Sequence, residues 1–309
     1  MRIGLDIADL ASGVRSRAPQ AALGDIARAE ATGLSTAWVP VLGGGPDPVA
    51  VCALAAGAGR RIELAAGVVR IWGQHPVELA RAAFTVAQAA AGGFVLGVGV
   101  SHRAMAERTY GSRFGAPADS MAEYLTVLRS LVDTGAVEFS GQTIRCAAEL
   151  DRPADPGRVR LGVAAGGPRM LAVAGAAADV VITNMAGPHL LATRVLPVVR
   201  AAAARAGRPQ PRIAAVFSIC ATSEPNRARA HIDEILADYA RMPAYREQLA
   251  AEAASSPGDI ALVGDETQLT ARLEELAALG VTDLIASIKA THAADEDRTR
   301  AFLSAMAAQ

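Results

Sequence analysis

Between residues 62 and 102, IELAAGVVRIWGQHPVELARAAFTVAQAAAGGFVLGVGVSH, two short apolar runs flank a stretch of helical periodicity. The first run, Ile62 to Val69, has strand length, and a loop ending in His75-Pro76 follows it. Val77, Ala80, Phe84, Ala87 and Ala91 then recur at helical spacing until Gly92-Gly93 stops the helix. The second run, Phe94 to Val100, ends in Ser101-His102. A strand, a helix and a strand joined by so short a turn form a crossover unit, so the two strands are expected to be parallel neighbours. Parallel α/β folds gather their chemistry at the carboxyl ends of the strands. That directs attention to the ends of these two runs.

The same alternation spans the chain. Arg2 to Ile7 reads as the first strand and Thr36 to Val39 as the second, ended by Pro40. Val159 to Ala165, Val180 to Thr183, Arg212 to Ala221 and Asp283 to Ile288 read as strands five to eight. Helices are expected over Gln20–Thr32, Asp47–Gly57, Asp119–Asp133, Arg169–Gly175, His189–Ala206, Asn226–Ala240, Glu266–Leu279 and Ala294–Ala308. Asp47 is the expected N-cap of the second helix with Pro48 at its first position, and Pro197 is expected to kink or split the helix it lies in. Two excursions break the rhythm. Val137 to Ile144 alternates around a Ser-Gly turn as a hairpin, and Ala244 to Ala254 is an extra helical piece after strand seven. Polar or glycine-rich loops are expected over Ala8–Pro19, Gly43–Gly45 and Asp151–Gly157, with Arg103–Pro117 a long loop or short helix.

Eight strands alternating with helices predict a parallel sheet. About 300 residues without a linker fit one domain, residues 1–309, folded as a (β/α)₈ barrel with insertions after strands 4 and 7. A doubly wound open sheet is the alternative, and the lack of a G-x-G-x-x-G after the first strand counts against its dinucleotide-binding form. A hydrophobic content of 51% supports one large core. Net charge is −1 and the 30 Lys and Arg residues are dispersed, so no nucleic-acid partner is expected. Lys289 is the single lysine, so arginine on the surface is a habit of composition. Cys52, Cys146 and Cys220 are far apart and odd in number, which points to reduced thiols, no metal site and a cytoplasmic location. Asp6 and Asp9 interrupt the N-terminal segment, against a signal peptide. No apolar run reaches the roughly 18 residues of a membrane span.

Several residues stand out at strand ends. Gly67, in Ala65-Ala66-Gly67-Val68, marks either a bulge or close backbone approach, or a small residue tolerated in a tight core. Gly97 and Gly99 remove side chains from strand four, leaving room for something flat; Val100, Ser101 and His102 form its tip. An imidazole there can exchange a proton near neutral pH, or His102 is a surface loop residue. Ala164-Ala165-Gly166-Gly167-Pro168 leads from strand five into a helix, and bare amides at a helix start bind anions, although an ordinary turn reads the same way. Thr183-Asn184 ends strand six and can hydrogen-bond a ligand. Tyr110, with Arg108 and Arg113, is either part of a lid carrying an acid or part of a solvated loop. His75 is a cap or packing residue. His189, His231 and His292 form no constellation, and neither a hydrolase triad nor a metal motif is present.

The ordered set of segments resembles the bacterial luciferase-like monooxygenase superfamily, and within it the oxidoreductases that use the deazaflavin coenzyme F420. The matching pieces are ARAEATGLSTAWVP (27–40), the 62–102 unit, SHRAMAERTYG (101–111), MAEYLTVLRSLVDTGAVEFSG (121–141), GGPRMLAVAGAAADVVITNMAGP (166–188) and VGDETQLTARLEELAALGVTDL (263–284). The resemblance implies a barrel that binds a flavin-like ring at the carboxyl ends of its strands. It implies a cis peptide in strand three behind the ring, at Gly67-Val68 by position. It also implies contacts from Ala66, Gly67, Val68, Val100 and Ser101, and a phosphate against Ala164, Ala165, Gly166, Gly167 and Pro168, with Asn184 nearby. A homo-oligomer, a dimer for instance, and a small-molecule substrate are implied as well.

One departure redirects the chemistry. Relatives that carry an Asp-His pair after strand two differ from this chain, which reads Pro40-Val41-Leu42 there, and their acidic residue after strand four is His102 here. The resemblance therefore points away from alcohol or sugar-phosphate oxidation and towards reduction of an activated double bond, with His102 or Tyr110 as the proton donor. FMN-dependent oxygenation with a partner reductase, and non-catalytic flavin binding, are the alternatives.

Overall fold

A computed structural model of the chain describes residues 1–7, 18–41, 45–155 and 158–309. Most of the polar loop expected over Ala8–Pro19, Leu42 with the first two glycines of Gly43–Gly45, and the last two residues of Asp151–Gly157 lie outside the described residues.

The strands are β1 (Arg2–Asp6), β2 (Thr36–Val39), β3 (Glu63–Arg70), β4 (Phe94–Gly99), β5 (Ala136–Ser140), β6 (Arg145–Glu149), β7 (Val159–Ala164), β8 (Val180–Asn184), β9 (Arg212–Ala221), β10 (Leu262–Gly264) and β11 (Asp283–Ile288). The order β1-β2-β3-β4-β7-β8-β9-β11 closes on itself, because β11 pairs with β1 and β8 with β9, every pairing being parallel. The result is an eight-stranded (β/α)₈ barrel, and the open doubly wound sheet is excluded by its closure.

Alternation along the strands sorts side chains inward and outward. Outward residues such as Leu64, Phe94, Leu96, Leu161, Val163 and Leu284 are buried under the ring of helices. Inward residues stack in layers. At the amino end Glu63 accepts from Arg160 Nη1 at 2.9 Å and from Arg212 Nη2 at 3.0 Å, and pairs with Arg2 at 3.0 Å; Arg212 also pairs with Asp283. Above that plug Trp38, Ala65, Val95, Val180, Ile182, Ala214 and Ile285 fill the middle. The barrel is therefore a packed core with only its carboxyl end available for a ligand.

Both excursions are present. After β4 come the helices Arg103–Tyr110 and Pro117–Thr134 and the antiparallel β5–β6 hairpin. After β9 come Pro225–Ile235, Ala237–Ala240, Pro243–Ala251 and Pro257–Ile260. The helix expected to run from Asn226 to Ala240 breaks at Leu236, and β10, three residues added to the far end of β9, was not expected. The expected split near Pro197 takes the form of a wide π turn over Leu191–Val195, after which Pro197 sits in the first turn of Leu196–Arg205. A proline lacks the amide that an α-helix interior requires, so a wide turn ahead of it is the natural accommodation. Asp47 caps its helix as expected, accepting from the Ala50 amide at 2.9 Å. The three cysteines are free thiols. Among the described residues, no helix is long and apolar enough to cross a membrane.

Candidate active site

The carboxyl ends of β3, β4, β7 and β8 meet on one side of the barrel mouth. In β3 the Gly67-Val68 peptide is cis, and the pairing with β4 slips between Ala66 and Val69. Gly67 is required by crowding: a Cβ there would sit 2.9 Å from Trp38 Cε3. Ala66 is buried in the outer core, whereas Val68 turns into the barrel beside the middle layer.

The space beside Gly97 and Gly99 belongs to strand three. A Cβ at Gly97 would meet the Ala66 carbonyl oxygen, and one at Gly99 would lie 2.7 Å from Val68 Cγ2 and 3.4 Å from Ala164 Cβ. The two glycines therefore do not leave a vacant slot for a flat ligand, as the sequence had suggested. They admit the displaced β3, whose Val68 side chain, with Gly99 and Ala164, forms an apolar floor.

Around this floor stand the strand tips. Val100 accepts a 2.6 Å hydrogen bond from Trp72 Nε1 through its carbonyl, which ties the β4 tip to the loop after β3. Ser101 and Met185, after β4 and β8, both hold left-handed backbone, with φ of 55° and 56°. Such conformations in non-glycine residues collect at ligand sites. Ala165 is fixed by its amide donating to Ile182 O at 2.9 Å. Gly167 precedes the helix Pro168–Ala177, whose first turn has no side-chain cap and no acidic residue, and a Cβ on Gly167 would meet nothing within 4 Å. That leaves the helix start open where a Gly167 side chain would stand.

His102 is partly buried and starts the helix Arg103–Tyr110 without capping it through its side chain. Its ring is turned to Tyr245, with centroids 5.6 Å apart and planes at 63°. Burial first, and the Arg70 charge second, hold its pKa below the ordinary histidine value, which favours the neutral imidazole near neutral pH. Tyr110 lies elsewhere. Its ring covers Gly73, and its exposed hydroxyl is 3.5 Å from Arg70 Nη1.

The structure brings to the site residues that sequence reasoning left without a role. Tyr245, on the helix Pro243–Ala251, accepts from Asn184 Nδ2 at 3.3 Å, and Tyr239 lies 5.6 Å from it, ring to ring. Burial pushes the Tyr245 phenol up to about 12, against the opposing Asn184 hydrogen bond. Gln248, from the same helix, crosses Gly166 and, with its amide turned, donates to Asn184 O at 2.8 Å and to Met185 O at 3.2 Å. Across the mouth Lys289, 1% exposed, donates to Ser287 Oγ at 2.7 Å, and Ser287 donates to Asp6 at 2.7 Å. One signal for the last group was visible: a lone lysine in an arginine-rich chain marks a place where arginine does not substitute. Nothing in the sequence pointed to Tyr245, because its position depends on how an insertion docks. Among the described residues no cluster of His, Cys, Asp and Glu is disposed to hold a metal ion.

Comparison with known proteins agrees with this fold. The family model described as "Luciferase-like monooxygenase" matches residues 8–283. A 5,10-methylenetetrahydromethanopterin reductase of Archaeoglobus fulgidus is 30% identical over 130 residues, 42% of this chain and 38% of that protein. A phthiodiolone/phenolphthiodiolone dimycocerosates ketoreductase of Mycobacterium tuberculosis is 31% identical over 188 residues, 59% of this chain and 49% of that protein. The matches thus span less than half of either curated relative. Among solved structures, the coenzyme F420 dependent tetrahydromethanopterin reductase of Methanopyrus kandleri aligns with a TM-score of 0.81 at 19% identity, covering 98% of this chain and 97% of that one. An F420-dependent secondary alcohol dehydrogenase aligns at 0.79, with 18% identity and coverage of 100% and 99%. The oxygenating constituent of 3,6-diketocamphane monooxygenase of Pseudomonas putida, in complex with FMN, aligns at 0.74, with 17% identity and coverage of 99% and 96%.

Proposed function

The chain belongs to the luciferase-like monooxygenase family and is an oxidoreductase, and from that premise we propose that it transfers hydride between coenzyme F420 and a small organic substrate, in the direction of reducing an activated double bond. One juxtaposition carries the reading. The apolar floor of Val68, Gly99 and Ala164 adjoins, within three residues of chain, the uncapped helix start at Gly167. A flat heterocycle needs the first and its phosphate arm the second, so the residues present fit such a cofactor. Ala66, Gly67, Val100 and Ser101 would hold the ring beside that floor, Ala165, Gly166 and Pro168 would hold the phosphate, and Asn184 would contact the cofactor from the end of β8.

When bound, the reduced deazaflavin supplies hydride and does not readily activate O₂; the protein orients it and shields the reaction from water. His102 or Tyr110 is the proton donor that the sequence leads one to expect. Reduction rather than oxidation is favoured by the tip of β2, where Val39 is buried and Pro40 and Val41 offer no base to take a proton from an alcohol. The likeness to a reductase and an alcohol dehydrogenase that are both named for F420 supports that cofactor in either direction, and the likeness to an FMN-bound monooxygenase supports FMN as the alternative cofactor with a partner reductase.

The test is anaerobic and aerobic turnover with reduced F420 in parallel with reduced FMN. Oxidation of reduced F420 that needs an organic acceptor, with no oxygen uptake, is the expected result. Oxygen consumption with reduced FMN and none of that F420 activity would select the monooxygenase reading.

A further inference from the structure

We propose that Tyr245 is the proton donor of this site, and that the acceptor it serves is a neutral carbonyl or imine compound, conjugated or not. The inference rests on the hydride-transfer reading above and adds the residue and substrate class.

Three groups could give up a proton beside the floor, and exposure, hydrogen bonding and charge separate them. Tyr110, 36% exposed, lies over Gly73 with its hydroxyl 3.5 Å from the Arg70 guanidinium. His102 contacts Tyr245, but burial first and the Arg70 charge second disfavour its imidazolium, so it is the poorer source of a proton near neutral pH. Tyr245 keeps its proton throughout that range. Its hydroxyl oxygen already accepts the Asn184 Nδ2 hydrogen bond. The hydroxyl hydrogen has no acceptor among the described residues and is left for a ligand. The Asn184 donor also stabilises the phenolate that proton transfer leaves behind.

The polar atoms that meet here, from Tyr245, His102 and Asn184, carry no formal charge near neutral pH; the two charges that reach the cluster, Arg70 at His102 and Tyr239 and Asp6 at Tyr239, are of opposite sign, and Tyr239 adds a second aromatic edge. A hydroxyl donor in such surroundings suits the lone pair of a neutral oxygen or nitrogen better than a carboxylate or phosphate. In the step, hydride and its electron pair pass from the reduced deazaflavin to the electrophilic carbon. The π pair moves to the heteroatom, or through conjugation to it, and the heteroatom takes the Tyr245 proton. The phenolate, held by Asn184, regains a proton from water.

Two measurements test this. In the cofactor-free protein, histidine NMR titration reads the contact itself. Tyr245→Ala is expected to raise the His102 pKa towards the ordinary value of about 6.5 by opening the ring to water. An unchanged titration would overturn the juxtaposition and the inference with it. In the loaded enzyme, turnover of reduced F420 with a panel of neutral enones, ketones and imines is expected. Tyr245→Phe should bind cofactor as the parent does and lose about 100-fold or more in kcat, in the range of a general acid. Tyr245→Phe turning over at the parental rate, or a parent that binds F420 yet reduces only anionic acceptors or none of the panel, would overturn the inference while leaving cofactor binding intact. A parent that binds neither F420 nor FMN would overturn the hydride-transfer reading first.

Discussion

Val68 occupies the space that a side chain at residue 99 would need: a Cβ built on Gly99 falls 2.7 Å from Val68 Cγ2. The floor of the mouth and the glycines of β4 are therefore one construction. Gly99→Ala is expected to destabilise the cofactor-free protein by about 1–3 kcal/mol, the usual cost of overpacking. Most of that loss should return in the Val68→Ala background, because the clash is with a side chain that can be removed. Gly97→Ala, which meets the backbone oxygen of Ala66, should not be rescued in the same way. Denaturant unfolding of the single and double variants measures both, and additive effects of Gly99→Ala and Val68→Ala would count against the shared space.

The amino end of the barrel is a test of a different kind. Glu63, 5% exposed, is the common partner of Arg2, Arg160 and Arg212. Removing its charge leaves guanidinium groups half-compensated beside Asp283. Glu63→Gln is expected to cost about 3–5 kcal/mol in chemical unfolding, while the mouth, at the opposite end of the strands, keeps its ligand affinity per folded molecule.

Acid sensitivity has a surface contribution. Arg298 hydrogen-bonds Glu266 and brings its carboxyl down to about 2 from an ordinary 4.5. A carboxyl whose folded value is depressed binds fewer protons folded than unfolded. Its stabilisation is therefore full above the unfolded value of 4.5 and is lost as pH falls towards 2. Glu266→Gln should lower Tm at pH 6 and converge with the parent near pH 2. Parallel Tm curves over that window would contradict this assignment.

Glu252 joins the insertion after β9 to the barrel. Its carboxylate accepts from the amides of His189 at 3.3 Å and Leu190 at 2.5 Å, at the start of a helix that has no other side-chain cap. Glu252→Ala should cost about 1 kcal/mol, the scale of a lost N-cap. It should also speed hydrogen exchange over residues 237–251, which include Tyr245. Unchanged exchange there would mean that other contacts hold the insertion in place.

The barrel was legible because its signals are local. Strand length, helical period and the stops at Gly33, Gly92-Gly93 and Gly280 act within a few residues, and the last strand and its preceding helix fall where the pattern placed them. The site was legible only in part. Strand ends located Val68, Val100, His102, Ala164, Gly167 and Asn184 on one face of the mouth. Gly97 and Gly99 were visible as anomalies, but their cause, the inward shift of β3, is a contact between strands and not a property of either. Tyr245 was hidden for a deeper reason. Its helix belongs to an insertion without a barrel strand of its own, and its orientation is set by Asn184, Met185, Gly166 and Gly187 meeting Tyr245, Gln248 and Glu252. No periodicity encodes those meetings.

The proposed deazaflavin would lie over Val68 with its phosphate at the start of the helix after Gly167. Fluorescence titration of the chain with F420, repeated on Gly167→Asp, addresses it directly. Asp fits the open space at Gly167 and is a good N-cap, so the variant should be as stable as the parent or more so. Its carboxylate would stand where the phosphate must go, and like-charge juxtaposition costs several kcal/mol. Saturable binding of one F420 per chain, weakened at least about tenfold by Gly167→Asp, is the expected result. F420 binding that Gly167→Asp leaves unchanged, or no binding of F420 or FMN by the parent, would contradict it.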